Sequence, residues 1–258
     1  MLYTIITGAS SGIGKCFAEQ YAQKRKNLLL ISRSAEKLLE LADRIKRENQ
    51  IDVKILALDL SKPESAEVVK DFCQTSKIEV EILINNAGFG LLGSFAYQKL
   101  KTYEEMIELN ISTLVKLTHL FLPEMISRKS GGVINVASTG AFQAVPYLTV
   151  YAATKAFVLS FSEGLNEELD GTGVTVTALC PGTTETNFFE VAKHDPSKML
   201  LPMEKPEQVV RVGIQAFEAG SSKVISGIFN KVMIHTERLF PRHIVSKIAA
   251  FVFNPTRK

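Results

Sequence analysis

The 258-residue sequence has no tryptophan, few cysteines and no long apolar run. Its three cysteines, Cys16, Cys73 and Cys180, are odd in number and far apart, so we expect neither a disulfide framework nor a cysteine metal site. This usage indicates a reducing compartment and predicts a cytoplasmic protein. No window reaches the ~18 to 20 uninterrupted apolar residues that a spanning helix needs, and the first residues lack the pattern of a signal peptide.

Histidine is also scarce, and the four histidines show no ligand spacing, so no metal site is expected. The formal net charge is only +3, and the basic excess belongs to the C-terminal tail, where seven Lys and Arg residues follow position 222 against one acid, Glu237. Nucleic-acid binding would need a broader basic face or a recognition motif, and neither is present. No Gly-x-Ser-x-Gly elbow accompanies Ser138, which argues against a serine hydrolase.

Short runs of leucine and β-branched residues, separated by segments of helical character, dominate the chain. The segment 34–49, for example, places Leu38, Leu41 and Ile45 on one helical face. Strands that alternate with helices predict a doubly wound α/β fold with a central parallel sheet flanked by helices on both faces. No linker or repeat divides the sequence, so one domain, 1–258, is expected. The predicted strands are 3–7, 28–32, 53–60, 81–88, 132–138, 174–182 and 223–227.

The glycine-rich stretch TGASSGIG, 7–14, directly follows the first predicted strand. Gly8, Gly12 and Gly14 let the backbone turn sharply and approach a pyrophosphate, whose charge the N-terminus of the next helix can hold. Ser10 and Ser11 can cap that helix and contact phosphate oxygens. Because glycine-rich turns join strands to helices in many folds, the spacing alone leaves a purely structural role open.

The second and third strands end with residues suited to an adenosine site. No acid follows the second strand, where an NAD site would place one; Arg33 stands there and suits a 2′-phosphate, so NADP(H) is favoured over NAD(H). A solvated arginine at a helix start is the alternative. Asp59 and Leu60, at the end of the third strand, can address the adenine edge.

In the stretch YAATK, at the start of a predicted helix over 152–169, the i, i+4 spacing places Tyr151 and Lys155 on one helical face. A free phenol has a pKa of about 10 and is a poor base at neutral pH. A nearby ammonium, together with the positive nicotinamide of an oxidised cofactor, favours the phenolate, so we expect Lys155 and such a cofactor to lower the pKa of Tyr151. Taken alone, such a pair is more often a surface contact of an amphipathic helix.

Several motifs together resemble the short-chain dehydrogenase/reductase family in its single-domain form: TGASSGIG, NNAG (85–88), ELNI, a serine before YAATK, and PGTTET (181–186). They occur in the family's order and span nearly the whole chain. The resemblance implies a doubly wound Rossmann fold and a catalytic tetrad in which Tyr151 is the general acid and base. Its other members are Asn110, which anchors a water, Ser138, which orients the substrate oxygen, and Lys155, which holds the nicotinamide ribose.

The same resemblance implies a nucleotide site at the carboxyl ends of the strands. Thr184 is a departure, since the family more often has a β-branched aliphatic residue there against the nicotinamide. The expected cofactor-binding residues are Gly8, Ser10, Ser11, Gly12, Ile13, Gly14, Arg33, Asp59, Leu60, Asn86, Ala87, Gly88, Tyr151, Lys155, Pro181, Gly182, Thr184 and Thr186.

The predicted walls of the cleft, 89–95, 140–148 and 188–201, are rich in Phe, Leu, Val and Ala, and 183–206 is expected to form a lid. An apolar ketone or alcohol fits such walls better than a sugar phosphate. We therefore expect an NADP(H)-dependent oxidoreductase that interconverts a carbonyl and an alcohol. The alternative is a dinucleotide-binding sensor that has lost turnover. An epimerase or dehydratase is disfavoured, because such relatives carry a larger C-terminal domain.

The predicted partners are a second subunit and an apolar substrate. In the family, the helix that carries Tyr151 often packs against its twin, so a homodimer or homotetramer is expected. The C-terminal segment 236–258 combines apolar residues at helical spacing with basic ones. Such a helix can lie on an anionic membrane surface, roof the cleft or pack on another subunit; the membrane is not the favoured choice at this point.

Overall fold

The computed structural model describes residues 1–186 and 203–254, and these contain a seven-stranded parallel sheet. The strand order is β3-β2-β1-β4-β5-β6-β7, the doubly wound Rossmann topology, in which the order reverses between β1 and β4. The seven predicted strands and the fold class are confirmed. The strands are β1 Leu2–Thr7, β2 Asn27–Ser32, β3 Val53–Ala57, β4 Glu79–Asn85, β5 Gly132–Val136, β6 Thr175–Cys180 and β7 Lys223–Ile225.

Helices cover both faces of the sheet. None within the described residues is both long and apolar enough to cross a membrane. Short 3-10 segments at Phe95–Tyr97 and Thr139–Ala141 and a π-helical turn at Glu108–Ser112 interrupt the regular pattern. The α-helices are α1 Gly12–Gln23, α2 Ala35–Asn49, α3 Ser65–Thr75, α4 Leu100–Ile107, α5 Thr113–Arg128, α6 Thr149–Glu168, α7 Pro206–Glu218, α8 Ile228–Glu237 and α9 Arg242–Phe253.

The core has two layers because consecutive strand residues point to opposite faces of the sheet. On β1, Ile6 packs towards α1 and α2, where Phe17 is buried, whereas its neighbour Ile5 packs towards α5, where Phe121 is buried. Each fully buried side chain of this size contributes about 1.5 to 3 kcal/mol. Burial on both faces is why the strands show no alternation of apolar and polar residues.

A buried polar network fixes helix α6, the helix that carries the YAATK stretch, against the sheet. Asn85 on β4 donates to Asn135 on β5 at 2.9 Å and to Thr118 on α5 at 3.1 Å. Asn135 donates in turn to Ser162 on α6 at 2.9 Å. Polar groups buried at this depth are costly unless paired, so the network favours one register of α6 on the sheet.

The predicted lid, 183–206, is described only at its two ends. Residues 187–202, with the whole of the predicted wall 188–201, lie outside the described residues, as do 255–258 of the C-terminal segment. The two ends pair with each other through backbone bonds, from Glu204 to the Thr183 carbonyl at 2.8 Å and from Glu185 to the Glu204 carbonyl at 3.0 Å. The base of the predicted lid is therefore closed by a short bridge.

Candidate active site

The glycine-rich loop connects β1 to α1, and each glycine has its own structural reason. Gly8 and Gly12 have φ of +66° and +52°, the left-handed region that favours glycine. A Cβ on Gly14 would lie 2.2 Å from the Gly8 carbonyl oxygen, so only glycine lets α1 approach the strand end this closely. A Cβ on Gly12 would lie 2.9 Å from Thr186, which places the far end of the PGTTET stretch against the loop.

Thr7, the last residue of β1, attaches the NNAG turn to this loop. Its Oγ1 accepts hydrogen bonds from the backbone N–H groups of Asn86 and Ala87, both at 2.9 Å, and donates to the Ile84 carbonyl. The Asn86 side chain donates to the Thr7 carbonyl at 2.8 Å. Thr7 is the first residue of the TGASSGIG stretch, but its bonds to the NNAG turn were not predicted, because nothing local assigns such a role to a threonine at a strand end.

The first turn of α1 is suited to an anion. Ser11 is the N-cap residue, but its side chain makes no capping hydrogen bond, so the expectation that it caps the helix is wrong. The first turn holds no acidic side chain, and its backbone N–H groups and helix dipole favour a negative group. The Ile13 side chain packs on the core, so only its backbone can take part.

The adenosine end lies at the carboxyl ends of β2 and β3. Arg33 is exposed directly after β2, and the hydroxyl of the preceding Ser32 is buried without a hydrogen-bond partner in the described structure. Burial alone would raise the pKa of the Asp59 carboxyl, but hydrogen bonds from Ser61 and the nearby Arg33 guanidinium outweigh it and lower that pKa. Arg33 and Asp59 thus share one site, as expected.

The side chain of Leu60, a residue expected at the adenine edge, is part of the core. It is buried in the core layer that faces α5, and its carbonyl oxygen accepts bonds from Ser65 at 3.2 Å and Thr113 at 2.8 Å. An apolar side chain at the end of a strand cannot be assigned to cleft or core from spacing alone. The expected contact of Leu60 with the adenine edge stays a prediction, and with the side chain in the core such a contact falls to the backbone.

Ser138 and Tyr151 come together at the end of β5 and the start of α6. Ser138 precedes the 3-10 turn Thr139–Ala141, and its Oγ accepts from the Gly140 N–H at 3.0 Å. Burial raises the pKa of the Tyr151 phenol to about 12, and a hydrogen bond with the Ser138 side chain acts in the opposite direction. The phenol is therefore held in its protonated form at neutral pH.

Lys155 lies one helical turn beyond Tyr151 and is buried. Its Nζ donates to the Val136 carbonyl at 2.7 Å and lies 5.7 Å from the centre of the Tyr151 ring. Burial lowers the pKa of Lys155 to about 8. The amine therefore lies over the tyrosine ring, and its hydrogen bond anchors it to the end of β5.

The expected effect of Lys155 on Tyr151 is corrected by these surroundings. The sequence-based expectation was a lowered phenol pKa, whereas the pKa of Tyr151 is raised by burial. Desolvation disfavours the charged form of both groups, so it raises the pKa of the phenol and lowers that of the amine. Sequence spacing predicts that the two residues share a helix face, but it does not predict their depth of burial. Here the burial decides the direction of both pKa shifts.

Asn110 lies in the π-helical turn Glu108–Ser112 between α4 and α5, an irregularity often found at functional sites. Its side chain accepts from the Phe89 N–H at 3.2 Å and donates to the Phe89 carbonyl and to Thr154 Oγ1, both at 3.0 Å. Thr154 also donates to the Tyr151 carbonyl at 2.7 Å. Thr154, which the sequence did not single out, therefore joins Asn110 to α6.

The segment after β6 approaches both the serine and the glycine loop. The Pro181 carbonyl accepts from the Thr139 N–H at 2.9 Å, next to Ser138. Thr184 is buried, and its hydroxyl donates to the Gly182 carbonyl at 3.0 Å. Pro181–Thr186 thus extends from the neighbourhood of Ser138 to Gly12.

Glu204 binds the Gly182 backbone within this segment, a contact that was not predicted from the sequence. Its carboxylate accepts from Ser226 Oγ at 3.1 Å, from Asn230 Nδ2 at 2.6 Å and from the Gly182 backbone N–H. Burial raises the pKa of Glu204, against the effect of these hydrogen bonds. One carboxylate therefore ties the turn after β6 to β7 and α8.

An apolar wall lies next to Tyr151. The buried residues Leu92, Val145, Leu148 and Ala152 form one cluster, and Tyr151 and Phe253 pack against it. Two of the predicted walls, 89–95 and 140–148, thus meet at the tyrosine. The third wall lies outside the described residues.

The fold and this arrangement define a class of protein. A glycine loop at the switch point of a Rossmann sheet, an anion-suited helix start and an arginine at the adenosine end fit a dinucleotide, and a serine, a tyrosine and a lysine meet at the other end. These are the features of a nicotinamide-dependent oxidoreductase.

Comparison with known proteins gives the family. The short chain dehydrogenase family model matches residues 3–197. The chain belongs to the short-chain dehydrogenase/reductase family and is an NAD(P)H-dependent oxidoreductase acting on small-molecule carbonyl or alcohol substrates.

Individual relatives agree with that assignment. The very-long-chain 3-oxoacyl-CoA reductase of Rattus norvegicus is 30% identical over 253 residues, which cover 95% of this chain and 77% of that protein. The structure of a short-chain dehydrogenase from Sphingobium yanoikuyae in complex with NADPH is 30% identical with a TM-score of 0.83, covering 93% of this chain and 95% of the other. A 7beta-hydroxysteroid dehydrogenase structure is 28% identical with a TM-score of 0.87 and covers 96% of each chain.

Proposed function

We propose that the chain is an NADP(H)-preferring oxidoreductase that interconverts a carbonyl and an alcohol on a mostly apolar small molecule. The observation that carries this proposal is the meeting of Ser138, Tyr151 and Lys155 beside a buried apolar wall. The names of two similar proteins, a 3-oxoacyl-CoA reductase and a hydroxysteroid dehydrogenase, concern oxygen functions on large apolar molecules, and they support the same substrate class.

The chemistry divides between the cofactor and the protein. A reduced nicotinamide bound at this site supplies a hydride to the carbonyl carbon. Tyr151 donates its phenolic proton to the carbonyl oxygen as the alcohol forms, and it accepts that proton in the reverse direction. The Ser138 hydroxyl donates a hydrogen bond to the same oxygen and keeps it within reach of the phenol.

Lys155 and Asn110 support the tyrosine. Lys155 holds the nicotinamide ribose, and its positive charge favours the phenolate when the alcohol is oxidised. Asn110 positions a water through which Lys155 exchanges protons with solvent. Support comes from Gly88: a Cβ there would lie 2.9 Å from Asn110 Oδ1 and 3.4 Å from Lys155 Nζ, so both polar atoms approach one point.

Tyr151→Phe tests the role of the phenol. The substitution keeps the ring on the apolar wall and removes the proton donor, so turnover of a ketone should fall by about 10² to 10⁴ while NADPH affinity is retained. The matched control is Tyr147→Phe, at a tyrosine that packs on the same wall, which should keep its turnover. Undiminished turnover in Tyr151→Phe would remove this residue from the mechanism, and NADPH binding without consumption by the native chain would favour the sensor.

Arg33→Asp tests the cofactor preference. Arg33 is exposed at the end of β2 with no acid to accept from a ribose 2′-hydroxyl, which favours a 2′-phosphate. The variant should bind NADPH at least about tenfold more weakly and gain affinity for NADH, because an acid replaces the guanidinium. Lys37→Asp, an exposed charge reversal on α2, is the control. A preference unchanged by Arg33→Asp would place the 2′-phosphate elsewhere.

A set of ketones of graded chain length and ring size tests the substrate class. If the wall formed by Leu92, Val145 and Leu148 binds the substrate, catalytic efficiency should rise as apolar groups are added, by about 0.8 kcal/mol for each buried methylene. The matched control is a set of polyhydroxylated ketones of the same sizes. Equal efficiency on the two sets would contradict an apolar pocket.

We also propose a homodimer or homotetramer that uses helix α6, and a cytoplasmic location. Phe157 is exposed on α6 and stacks on Phe161 with ring centres 5.9 Å apart, so an apolar surface is available for a twin helix. Light scattering of Phe157→Ser against the native chain tests the oligomer, and a monomeric native chain would contradict it. The three cysteines are free and buried, which supports a reducing compartment.

A further inference from the structure

The last two helices and the loop between them leave many large apolar side chains exposed to solvent. On α8, Ile228, Phe229 and Val232 lie within about 100° of one another around the helix axis and are exposed. In the loop, Leu239 and Phe240 are 81% and 57% exposed. Single exposed apolar residues are ordinary, but a run of them marks a binding surface.

Helix α9 continues this run with an outward stripe. Ile244, Ile248 and Phe251, at the spacing i, i+4 and i+7, are exposed, whereas Ala249 on the opposite side is buried. From the sequence, the apolar residues of this segment were expected at helical spacing. The structure places some of them on the inner side of α9 and others on its outer side. The inner side fixes the helix to the protein, so Ile244 and Ile248 on the outer side are available for another contact. We call the exposed side chains of 228–232, 239–240 and 244–251 the C-terminal apolar surface.

Basic residues flank this surface. Lys231 accompanies the stripe on α8, Arg238 and Arg242 border the loop, and Lys247 adjoins the stripe on α9, all exposed. The single acid within 228–254, Glu237, is partly buried, and the amide nitrogen of Gln143 donates to both its carboxylate oxygens at 2.6 Å. The surface thus has an apolar centre and positive edges, without an exposed carboxylate.

We propose that the C-terminal apolar surface docks on an anionic lipid bilayer. The apolar loop and stripes enter the boundary between headgroups and acyl chains, while the lysines and arginines pair with acidic headgroups. The remainder of the chain is net negative, since the total is +3 and seven of its basic residues against one acid follow position 222. Repulsion of that remainder from the bilayer favours the same orientation.

The charge of this surface also favours an anionic bilayer over a second copy of the chain as its binding partner. A two-fold contact through this surface would bring Arg238, Arg242 and Lys247 close to their copies with no exposed acid on the surface to pair with them. Like charges brought together in an apolar contact are unfavourable. An anionic bilayer supplies the missing negative charge.

Docking here would bring the bilayer close to the active site. Phe253, the last residue of α9, packs on the wall that also contacts Tyr151. If the proposed function is correct, an apolar substrate dissolved in the bilayer can reach the cleft along α9 without crossing water. This consequence rests on the proposed function, whereas the docking itself does not.

Vesicle flotation of the full chain tests the docking. We expect the protein to float with phosphatidylcholine vesicles that contain phosphatidylserine, and to bind pure phosphatidylcholine at least about tenfold more weakly. High salt should weaken binding to the acidic vesicles. The variant Leu239→Ser with Phe240→Ser should lose at least about tenfold in affinity for the same vesicles.

A control variant and a charge variant complete the experiment. Leu39→Ser with Val68→Ser removes two exposed apolar side chains on α2 and α3 and should float like the native chain. Arg242→Glu with Lys247→Glu should abolish the preference for phosphatidylserine. NADPH binding by each variant reports whether it is folded.

Four results would overturn the proposal. The first three are no flotation with either vesicle, equal loss in the control variant, and conversion of an oligomer to a monomer by Leu239→Ser with Phe240→Ser in the absence of vesicles. The third result would assign the surface to a second copy. A protein partner that competes fully with the vesicles and binds much more tightly would assign it to that protein. Loss of ketone reduction by Tyr151→Phe is measured without vesicles, so failure of the docking and failure of the proposed function are distinguishable.

Discussion

Replacing Glu204 by alanine should lower the free energy of unfolding by about 2 to 4 kcal/mol. The carboxylate accepts from the hydroxyl of Ser226, the amide of Asn230 and the backbone N–H of Gly182, and both side-chain donors are buried. A buried donor left without a partner costs about 1 to 3 kcal/mol. Asn230 keeps its second bond, to the Ser226 carbonyl at 3.0 Å, so the sum stays below the full cost of three lost bonds.

Two further variants isolate the role of the carboxylate. Glu204→Gln keeps an acceptor oxygen in nearly the same place and should cost less than half as much as Glu204→Ala. Glu185→Ala removes an exposed carboxylate from the strand segment that pairs with Glu204, and it should change stability by less than about 0.5 kcal/mol. Urea denaturation followed by far-UV circular dichroism suits a chain without tryptophan. Equal stability of Glu204→Ala and Glu185→Ala would refute the reasoning.

The pH dependence gives a second test of the same group. Burial raises the pKa of Glu204 above its ordinary value, so the folded state binds a proton more tightly than the unfolded state. The stability that this group adds is present at acidic pH, below the ordinary glutamate pKa, and is lost as pH rises through the folded-state pKa. Between acidic and neutral pH, the stability of the native chain should therefore fall relative to that of Glu204→Gln. A constant difference between the two would contradict the raised pKa.

Further predictions concern packing and the thiols. Gly14→Ala should lower the unfolding free energy by about 1 to 3 kcal/mol, because the added Cβ would lie 2.2 Å from a backbone carbonyl oxygen. Gly164→Ala on α6, where a Cβ meets nothing within 4 Å, should instead raise it by about 0.5 to 1 kcal/mol; urea denaturation compares the two, and equal signs would contradict the packing argument. Asn135→Ala breaks the buried network on both sides and should cost about 2 to 4 kcal/mol, against about 1 to 2 for Ser162→Ala, as thermal denaturation would show. The three thiols are buried with pKa values raised to about 12, so iodoacetamide should label them at neutral pH only as the chain unfolds, and mass spectrometry that finds rapid labelling of the native chain would contradict their burial.

The seven strands and their approximate positions along the chain could be predicted, because burial on both faces of the sheet produces continuous apolar runs. The predicted strands extended too far at their C-terminal ends for β3, β4, β5, β6 and β7. The run 53–60, for instance, gives a strand that ends at Ala57, because Asp59 already belongs to the loop at the carboxyl edge. Apolar residues such as Leu60 continue beyond the sheet into the core, and composition does not separate these two environments.

The motif residues of the site could also be predicted, but the residues that hold them in place could not. Glu204 contacts Asn230 and Gly182 from a different part of the chain, and Thr7 reaches the NNAG turn from another strand. Such bonds join residues far apart in sequence and leave no periodic or local pattern. Thr154 is an exception in principle, since a threonine three residues after the tyrosine on a helix can bond the Tyr151 carbonyl.

If Tyr151 is the proton donor of the proposed function, the pKa values of Tyr151 and Lys155 indicate what the protein's own groups contribute to each direction of the reaction. With the phenol pKa raised to about 12 and the amine pKa lowered to about 8, Tyr151 is protonated at neutral pH, and Lys155 still carries most of its charge. Carbonyl reduction needs the protonated phenol, which burial already supplies. Alcohol oxidation needs the phenolate, and burial opposes it, so positive charge must offset the desolvation. The nearby ammonium supplies part of that charge, and an oxidised nicotinamide, itself a cation, supplies the rest only when oxidation is to occur.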